Sequence, residues 1–155
     1  MIGEETALEQ MYREHHSMVF RTAYRVTGNP ADAEDVLQTV FLRLARRDPK
    51  IDNPESYLRR SAVNAALDLV RARHEGSGVE LDRLPGRAQH DQGELRENLR
   101  RALATLPERT AEMFALRFFE GLSNPEVAQA MGLSQVAVAV TLHRTRRELQ
   151  KKLRA

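Results

Sequence analysis

The chain has 155 residues, of which 41% are hydrophobic and 30% charged, and it contains neither Cys nor Trp. This balance is typical of one globular domain or two small ones, and the lack of Cys excludes disulfides, thiolate zinc sites and cysteine nucleophiles. The N-terminal segment is acidic and lacks the apolar core of a signal peptide, and no stretch approaches the roughly 18 apolar residues of a membrane span. We therefore expect a cytoplasmic protein without membrane insertion.

Positive charge is concentrated near the C-terminus. The net charge is only +2, with 24 Lys and Arg against 22 Asp and Glu. Residues 107–155 carry 8 basic and 5 acidic side chains, whereas residues 1–75 carry 11 and 12. A local excess of this kind favours a nucleic-acid partner for the C-terminal part, although a solvated helix face has the same composition.

Three amphipathic helices with short connections are predicted for the N-terminal half. Apolar residues recur at helical spacing over residues 7–27, 30–47 and 54–73. Gly28 ends the first helix, Asn29 followed by Pro30 is a natural start for the second, and Asn53 caps the third. We therefore predict a three-helix bundle as a first domain over residues 1–75.

A linker and a second helical domain follow. Residues 76–93 are rich in Gly and interrupted by Pro85, so we predict a flexible linker there. Helical periodicity returns at residues 94–104, and residues 105–108 resemble the cap of a further helix with Pro107 already in its first turn. The core side of that helix would be formed by Met113, Phe114, Leu116, Phe118 and Phe119. The second domain thus covers residues 94–155, and the predicted fold class is all-α.

Residues 122–154 have the outline of a helix-turn-helix. Ser123 and Glu126 form an S-x-x-E capping box at the start of a short helix, which Gly132 ends. Ser134 then caps a longer helix with basic residues in its C-terminal part and an apolar stripe of Val138, Leu142, Leu149 and Leu153. This outline is typical of a major-groove reader, although plain structural helical hairpins share it.

Two parts of the chain resemble a known family. Residues 32–41, with the sequence DAEDVLQTVF, are similar to region 2 of the extracytoplasmic function (ECF) sigma factors of bacteria. The runs 103–109, 116–123 and 142–144 are similar to region 4 of the same family. The resemblance implies a protein that binds core RNA polymerase and directs it to a class of promoters, with no catalytic residue of its own.

The resemblance also assigns residues to the polymerase and to the minus-ten element. The polymerase-binding residues would be Asp32, Asp35, Gln38 and Phe41, an acidic helix face that suits a basic partner surface. The alternatives are acidic residues that only complement the helix dipole and a core position for Phe41. On the third helix, Asn64 would read an unstacked base. Phosphates would be held by Arg59, Arg60, Arg71 and Arg73, for some of which a solvated helix face is the alternative.

The recognition helix departs from the family pattern at two positions. Where most members have Lys and Arg, this chain has Ala139 and Thr141. These side chains offer a methyl group or a hydroxyl instead of charge, so we expect weaker binding to the minus-35 element and a shallower salt dependence. We expect phosphate contacts from His143, Arg144, Arg146 and Arg147, and base contacts from Ser134, Gln135, Ala137 and Thr141.

No enzyme, cofactor or metal site is predicted. The His residues have no metal-ligand spacing, and the sequence contains no nucleophile elbow and no Gly-rich phosphate loop. Two alternatives to a sigma factor stay open. One is a stand-alone helix-turn-helix regulator of transcription, and the other is a sigma-like protein whose C-terminal domain binds a regulatory protein instead of DNA. The resemblance also makes an anti-sigma factor a candidate partner, for which the linker would leave room.

Overall fold

The structure is a computed structural model that describes residues 3–47, 50–77 and 92–154, and the regular elements of these residues are helices. No strand occurs in these residues, as expected for an all-α protein. The helices are α1 (Ala7–Thr27), α2 (Pro30–Ala45), α3 (Pro54–Ser77), α4 (Gln92–Leu103), α5 (Glu108–Phe114), α6 (Asn124–Met131) and α7 (Gln135–Arg154), with a π-helical segment at Ala115–Phe119. None of these described helices is long and apolar enough to cross a membrane.

The contacts divide the chain into two compact units, Met1–Ala66 and Leu67–Ala155, and the division falls within α3. The prediction of two small helical domains is confirmed. Its boundaries at residues 75 and 94 stay predictions. Residues 78–91 of the predicted linker lie outside the described residues.

The first unit is built on α1 and α2, which pack against each other across a two-residue connection. Gly28 ends α1 in the left-handed conformation, with φ of 70°. The Asn29 side-chain oxygen accepts backbone hydrogen bonds of 2.8 and 3.1 Å from the first turn of α2, and the Asn53 side chain caps α3 at 3.1 Å. These predicted caps are confirmed. The core of the unit contains Val19, Ala23, Val26, Ala33, Val36, Leu37, Val40, Leu44, Leu58, Ala62 and Val63.

In the second unit α7 packs against α4, α5 and α6. The capping box at the start of α6 is confirmed, because the Ser123 hydroxyl accepts from the Glu126 backbone N–H at 3.2 Å and the Glu126 carboxylate accepts from the Ser123 N–H at 2.9 Å. Gly132 ends α6 with φ of 67°. The helix-turn-helix is therefore formed by α6 and α7.

Two local details of the second unit differ from the prediction. Pro107 is itself the N-cap of α5, and the Thr105 hydroxyl donates back to the last turn of α4 at 2.7 Å instead of capping the next helix. After α5 the hydrogen-bond spacing widens, since the Glu120 N–H donates to the Ala115 carbonyl five residues earlier at 3.0 Å. Phe118, which the apolar spacing assigned to the core, lies in this segment: its ring packs 4.6 Å from the ring of the buried Phe114, centroid to centroid, and 36% of the residue is exposed.

Candidate nucleic-acid and protein interfaces

Helix α7 has two opposite faces of different chemistry. Its inward face buries Val138, Leu142, Thr145 and Leu149, which recur at helical spacing. The positions two residues before these lie about 200° around the helix. They are Val136, Val140, His143 and Arg147, which are all exposed and which we call the outward line. The outward line is therefore apolar in the first two turns of α7 and basic after them.

The predicted base-reading residues lie around the start of α7. Ser134, Gln135 and Ala137 are exposed, and Thr141 is half-buried. The Ser134 hydroxyl accepts from the Ala137 backbone N–H at 3.1 Å, so it also stabilises the helix start. The Thr141 carbonyl accepts from the buried Thr145 hydroxyl at 2.8 Å. These positions surround the apolar part of the outward line.

Arg146 differs from the other predicted phosphate-binding residues. Its guanidinium lies over the Phe118 ring, 5.1 Å from the ring centroid, and the Arg117 guanidinium lies at the same distance from that ring. Arg117 also donates to the Asn124 side-chain oxygen at 3.1 Å. His143, Arg144 and Arg147 are exposed. Sequence reasoning missed the Phe118 cluster, because the apolar spacing assigned this ring to the core and gave it no cationic neighbours.

Helix α2 carries the predicted polymerase-binding residues on two different sides. Asp35 and Gln38 are exposed, and Leu42 lies on the same side of the helix. Asp32 and Phe41 are only 5% and 8% exposed, so their side chains belong mainly to the core of the first unit. The assignment of these residues to the polymerase stays a prediction, now with two surface members and two core members.

An apolar groove lies beside the two surface members. It has a volume of about 560 Å³ and is lined by Leu8, Glu9, Tyr12, Gln38, Phe41, Leu42 and Ala45. The Tyr12 ring packs edge-on against the Phe41 ring with 5.0 Å between centroids, and 61% of Leu42 is exposed. Exposed apolar and aromatic groups around a depression are typical of a surface that a protein partner covers. Sequence reasoning did not assign Leu42 or Tyr12 to an interface, although Leu42 lies outside the helical spacing of the buried residues of α2.

The predicted minus-ten residues of the first unit lie on the first half of α3. Arg59, Arg60 and Asn64 are all half-buried. The Arg59 guanidinium lies 3.1 Å from the Glu55 carboxylate, one turn earlier. This pairing orients the arginine along the helix surface, and the role of the three residues on DNA stays a prediction.

Arg71 and Arg73 belong to the part of α3 in the second unit. Arg71 donates to the Leu106 carbonyl at 3.4 Å and lies 3.6 Å from the Asp68 carboxylate, whereas Arg73 is exposed. Arg71 therefore makes structural contacts that sequence spacing did not indicate. Its predicted contact with a phosphate, like that of Arg73, has not been tested.

The described residues contain no group of three or more His, Asp or Glu side chains that could hold a metal ion. Two of the histidines contact the helix backbone. The Nδ1 atom of His16 lies 2.8 Å from the Tyr12 carbonyl, and that of His74 lies 2.7 Å from the Val70 carbonyl. These rings are thus positioned by their own helices.

Comparison with known proteins gives matches to both halves of the chain. Models of Sigma-70 region 2 and of Sigma-70, region 4 match residues 11–75 and 96–149. The chain is 32% identical to the ECF RNA polymerase sigma factor SigE of Mycolicibacterium smegmatis, over 96% of this chain and 63% of that protein. It is also 32% identical to the RNA polymerase sigma-E factor of Streptomyces coelicolor, over 98% of this chain and 89% of that protein.

A third relative and one solved structure agree with these matches. The chain is 30% identical to the ECF RNA polymerase sigma factor SigM of Mycobacterium tuberculosis, over 97% of this chain and 79% of that protein. The sigma factor RpoE of Bartonella quintana, solved in complex with the anti-sigma factor NepR, has a similar fold. Its TM-score is 0.55 at 19% identity, with 95% of this chain and 96% of that chain covered.

Proposed function

The chain belongs to the ECF sigma factors of RNA polymerase, and we propose that it binds core RNA polymerase as a dissociable subunit and directs it to a class of promoters. The observation that carries this proposal is the presence of both family regions in one chain, at residues 11–75 and 96–149. A stand-alone helix-turn-helix regulator would need only the second of them. In the proposed role the protein acts in the cytoplasm and contributes binding surfaces rather than catalytic groups.

The polymerase contact is proposed for the side of α2 that carries Asp35, Gln38 and Leu42. The exposed carboxylate would attract a basic partner surface and raise the rate of encounter. Affinity would come from the groove next to Leu42, where a partner side chain could cover apolar area and the edge of Tyr12. Asp32 and Phe41 would support this face from the core.

The promoter contacts are proposed for α3 and α7. On α3, the amide of Asn64 can both donate to and accept from the edge of an unstacked base, while Arg59 and Arg60 hold the backbone. Helix α7 would enter the major groove of the upstream element with its outward line facing the bases. We further propose, from the sequence resemblance, that an anti-sigma factor covers one or both surfaces when the protein is held inactive.

Reconstitution with core polymerase tests the proposed function. The purified chain should co-elute with core polymerase of the source bacterium, and the complex should give transcripts with fixed starts from a genomic fragment library. Core polymerase alone is the control, and it should give no such transcripts. No binding to core polymerase at about micromolar concentration, or random starts only, would contradict the proposal.

A matched pair of tyrosines tests the polymerase-binding face. Tyr12 and Tyr24 lie on the same helix and are 44% and 45% exposed, but only Tyr12 lines the groove. Tyr12→Ala should weaken binding to core polymerase by about tenfold, as expected for an aromatic contact. Tyr24→Ala should leave the affinity unchanged. Equal effects of the two substitutions would place the contact elsewhere.

A further inference from the structure

We propose that α7 reads thymine bases in the upstream promoter element through the apolar side chains of Val136 and Val140. The inference rests on the proposed function, because it requires α7 to enter a major groove. It adds the base that the helix selects and the two residues that select it.

Val136 and Val140 form an exposed apolar surface on the first two turns of α7. Their exposed fractions are 73% and 43%, and they lie four residues apart on one side of the helix. Ala137 and Ala139 are exposed on either side of them, while the buried Val138 lies on the opposite face. Valine is a poor helix former, so neither the core nor helix propensity accounts for two valines at these positions.

Thymine is the base whose edge matches such a surface. In the major groove the other bases present hydrogen-bond donors and acceptors, whereas thymine also presents an apolar 5-methyl group. A valine over a polar edge removes water from that edge without offering a partner. A valine against a methyl group buries apolar area on both molecules, which is worth about fourfold in affinity per methyl group.

The charges next to the valines identify duplex DNA as the occupant of this face. The outward line continues from the valines into His143 and Arg147, and Arg144 is exposed beside it. Arg147 lies seven residues beyond Val140, which is about 10 Å along the helix axis and comparable to the major-groove width of about 12 Å. With the valines over the bases, the basic side chains would therefore reach the phosphates at the side of the groove.

The test uses the full chain bound to core polymerase and duplexes that this complex selects from a library randomised over the upstream element. In a selected duplex, each thymine of that element is replaced in turn by deoxyuridine, which lacks the 5-methyl group but pairs in the same way. We expect one or two positions at which the replacement weakens binding by about fourfold. At such a position, 5-methylcytosine should bind better than cytosine.

Two polar variants assign the methyl contact to residues. Val136→Ser and Val140→Ser remove both methyl groups of the side chain and leave a hydroxyl, whereas threonine would keep a methyl group able to contact thymine. The variant that has lost the contact should show little or no penalty for deoxyuridine at the sensitive position. Leu95→Ser, an exposed substitution on α4, should keep the full penalty of the unmodified chain.

Three results would overturn the inference. The first is a set of selected duplexes without a methyl-sensitive thymine, and the second is an equal deoxyuridine penalty in the unmodified chain and both valine variants. The third is unchanged DNA binding when both valines are replaced, which would show that this face does not contact DNA. Failure of the proposed function can be distinguished from failure of this inference. A chain that does not bind core polymerase would select no duplex at all, and that result would overturn both proposals.

Discussion

The outward sides of α2 and α7 both expose apolar residues, but their surroundings differ. On α2, Leu42 lies beside a groove lined by the aromatic rings of Tyr12 and Phe41, with acidic side chains nearby. On α7, Val136 and Val140 lie on the exposed side of the helix and are followed by basic residues. A groove with aromatic walls can receive a side chain of a protein, whereas apolar tips beside cations match base edges between phosphates. The neighbours of an exposed apolar residue therefore indicate its class of partner better than its exposure does.

The largest expected effect comes from truncating a core residue of the second unit while leaving α2 unchanged. Leu116, in the π-helical segment, is fully buried, so Leu116→Ala should lower the free energy of unfolding by about 3 kcal/mol through the cavity that it leaves. Selection of the upstream element should then be lost at temperatures at which the unmodified protein retains it. Thermal unfolding followed by circular dichroism measures the change.

The control for this substitution is Leu95→Ala, at a leucine that is 48% exposed. We expect it to change the free energy of unfolding by less than about 0.5 kcal/mol. Equal free energies of unfolding for the two variants would contradict the burial of Leu116 in the π-helical segment.

A smaller effect is expected from truncating the groove residue of α2. Leu42→Ala should weaken binding to core polymerase by about tenfold, because it removes an exposed apolar group that the partner would cover. The DNA selected by the variant complex should be unchanged, since α7 is not altered. Competition with a fluorescent copy of the chain for core polymerase measures the affinity. Leu95→Ala is again the control, and a tenfold loss in that variant would contradict a specific contact at the groove.

The helices were predictable because their signals are local. Asn29 with Pro30, the Ser123 capping box and the turn at Gly132 each depend on residues within four positions, and all three form as expected. The π-helical segment was not predictable in this way. A backbone hydrogen bond there joins residues five apart instead of four, so the regular helical spacing that assigned Phe118 to the core does not hold in this segment.

The two candidate surfaces were predictable to different degrees. On α7, the spacing of the buried Val138 and Leu142 already fixes which residues face outward. On α2, Phe41 and Leu42 are adjacent apolar residues, and the pattern alone does not tell which of them is buried. Packing of Phe41 against Tyr12 from another helix decides this. The contact between Arg71 and a carbonyl 35 residues away likewise has no local signal.

Removing a helix cap in each unit tests whether the two surfaces can be perturbed separately. Asn29→Ala removes the cap of α2, and Ser123→Ala removes the capping box of α6, the helix that precedes α7. Each should lower the free energy of unfolding by about 1 kcal/mol, measured by urea denaturation. Gln150→Ala, at an exposed position of α7, should have no measurable effect. We expect Asn29→Ala to weaken binding to core polymerase more than binding to DNA, and Ser123→Ala to weaken binding to DNA more than binding to core polymerase. The opposite pattern would contradict the division of roles.

The smallest expected effect comes from adding charge to the apolar part of α7. Ala139 is exposed next to Val140, so Ala139→Lys can reach a phosphate without disturbing the core. One added phosphate contact should steepen the log–log dependence of DNA affinity on salt by about 0.9, so the advantage of the variant should shrink about 3.5-fold between 50 and 200 mM salt. Leu95→Lys adds the same charge at an exposed position of α4 and should leave the slope unchanged. A nonspecific attraction would respond to both lysines alike. A steeper slope for Ala139→Lys alone would therefore place α7 against the DNA backbone. Equal slopes of the two lysine variants would remove the charge argument that assigns this face to DNA.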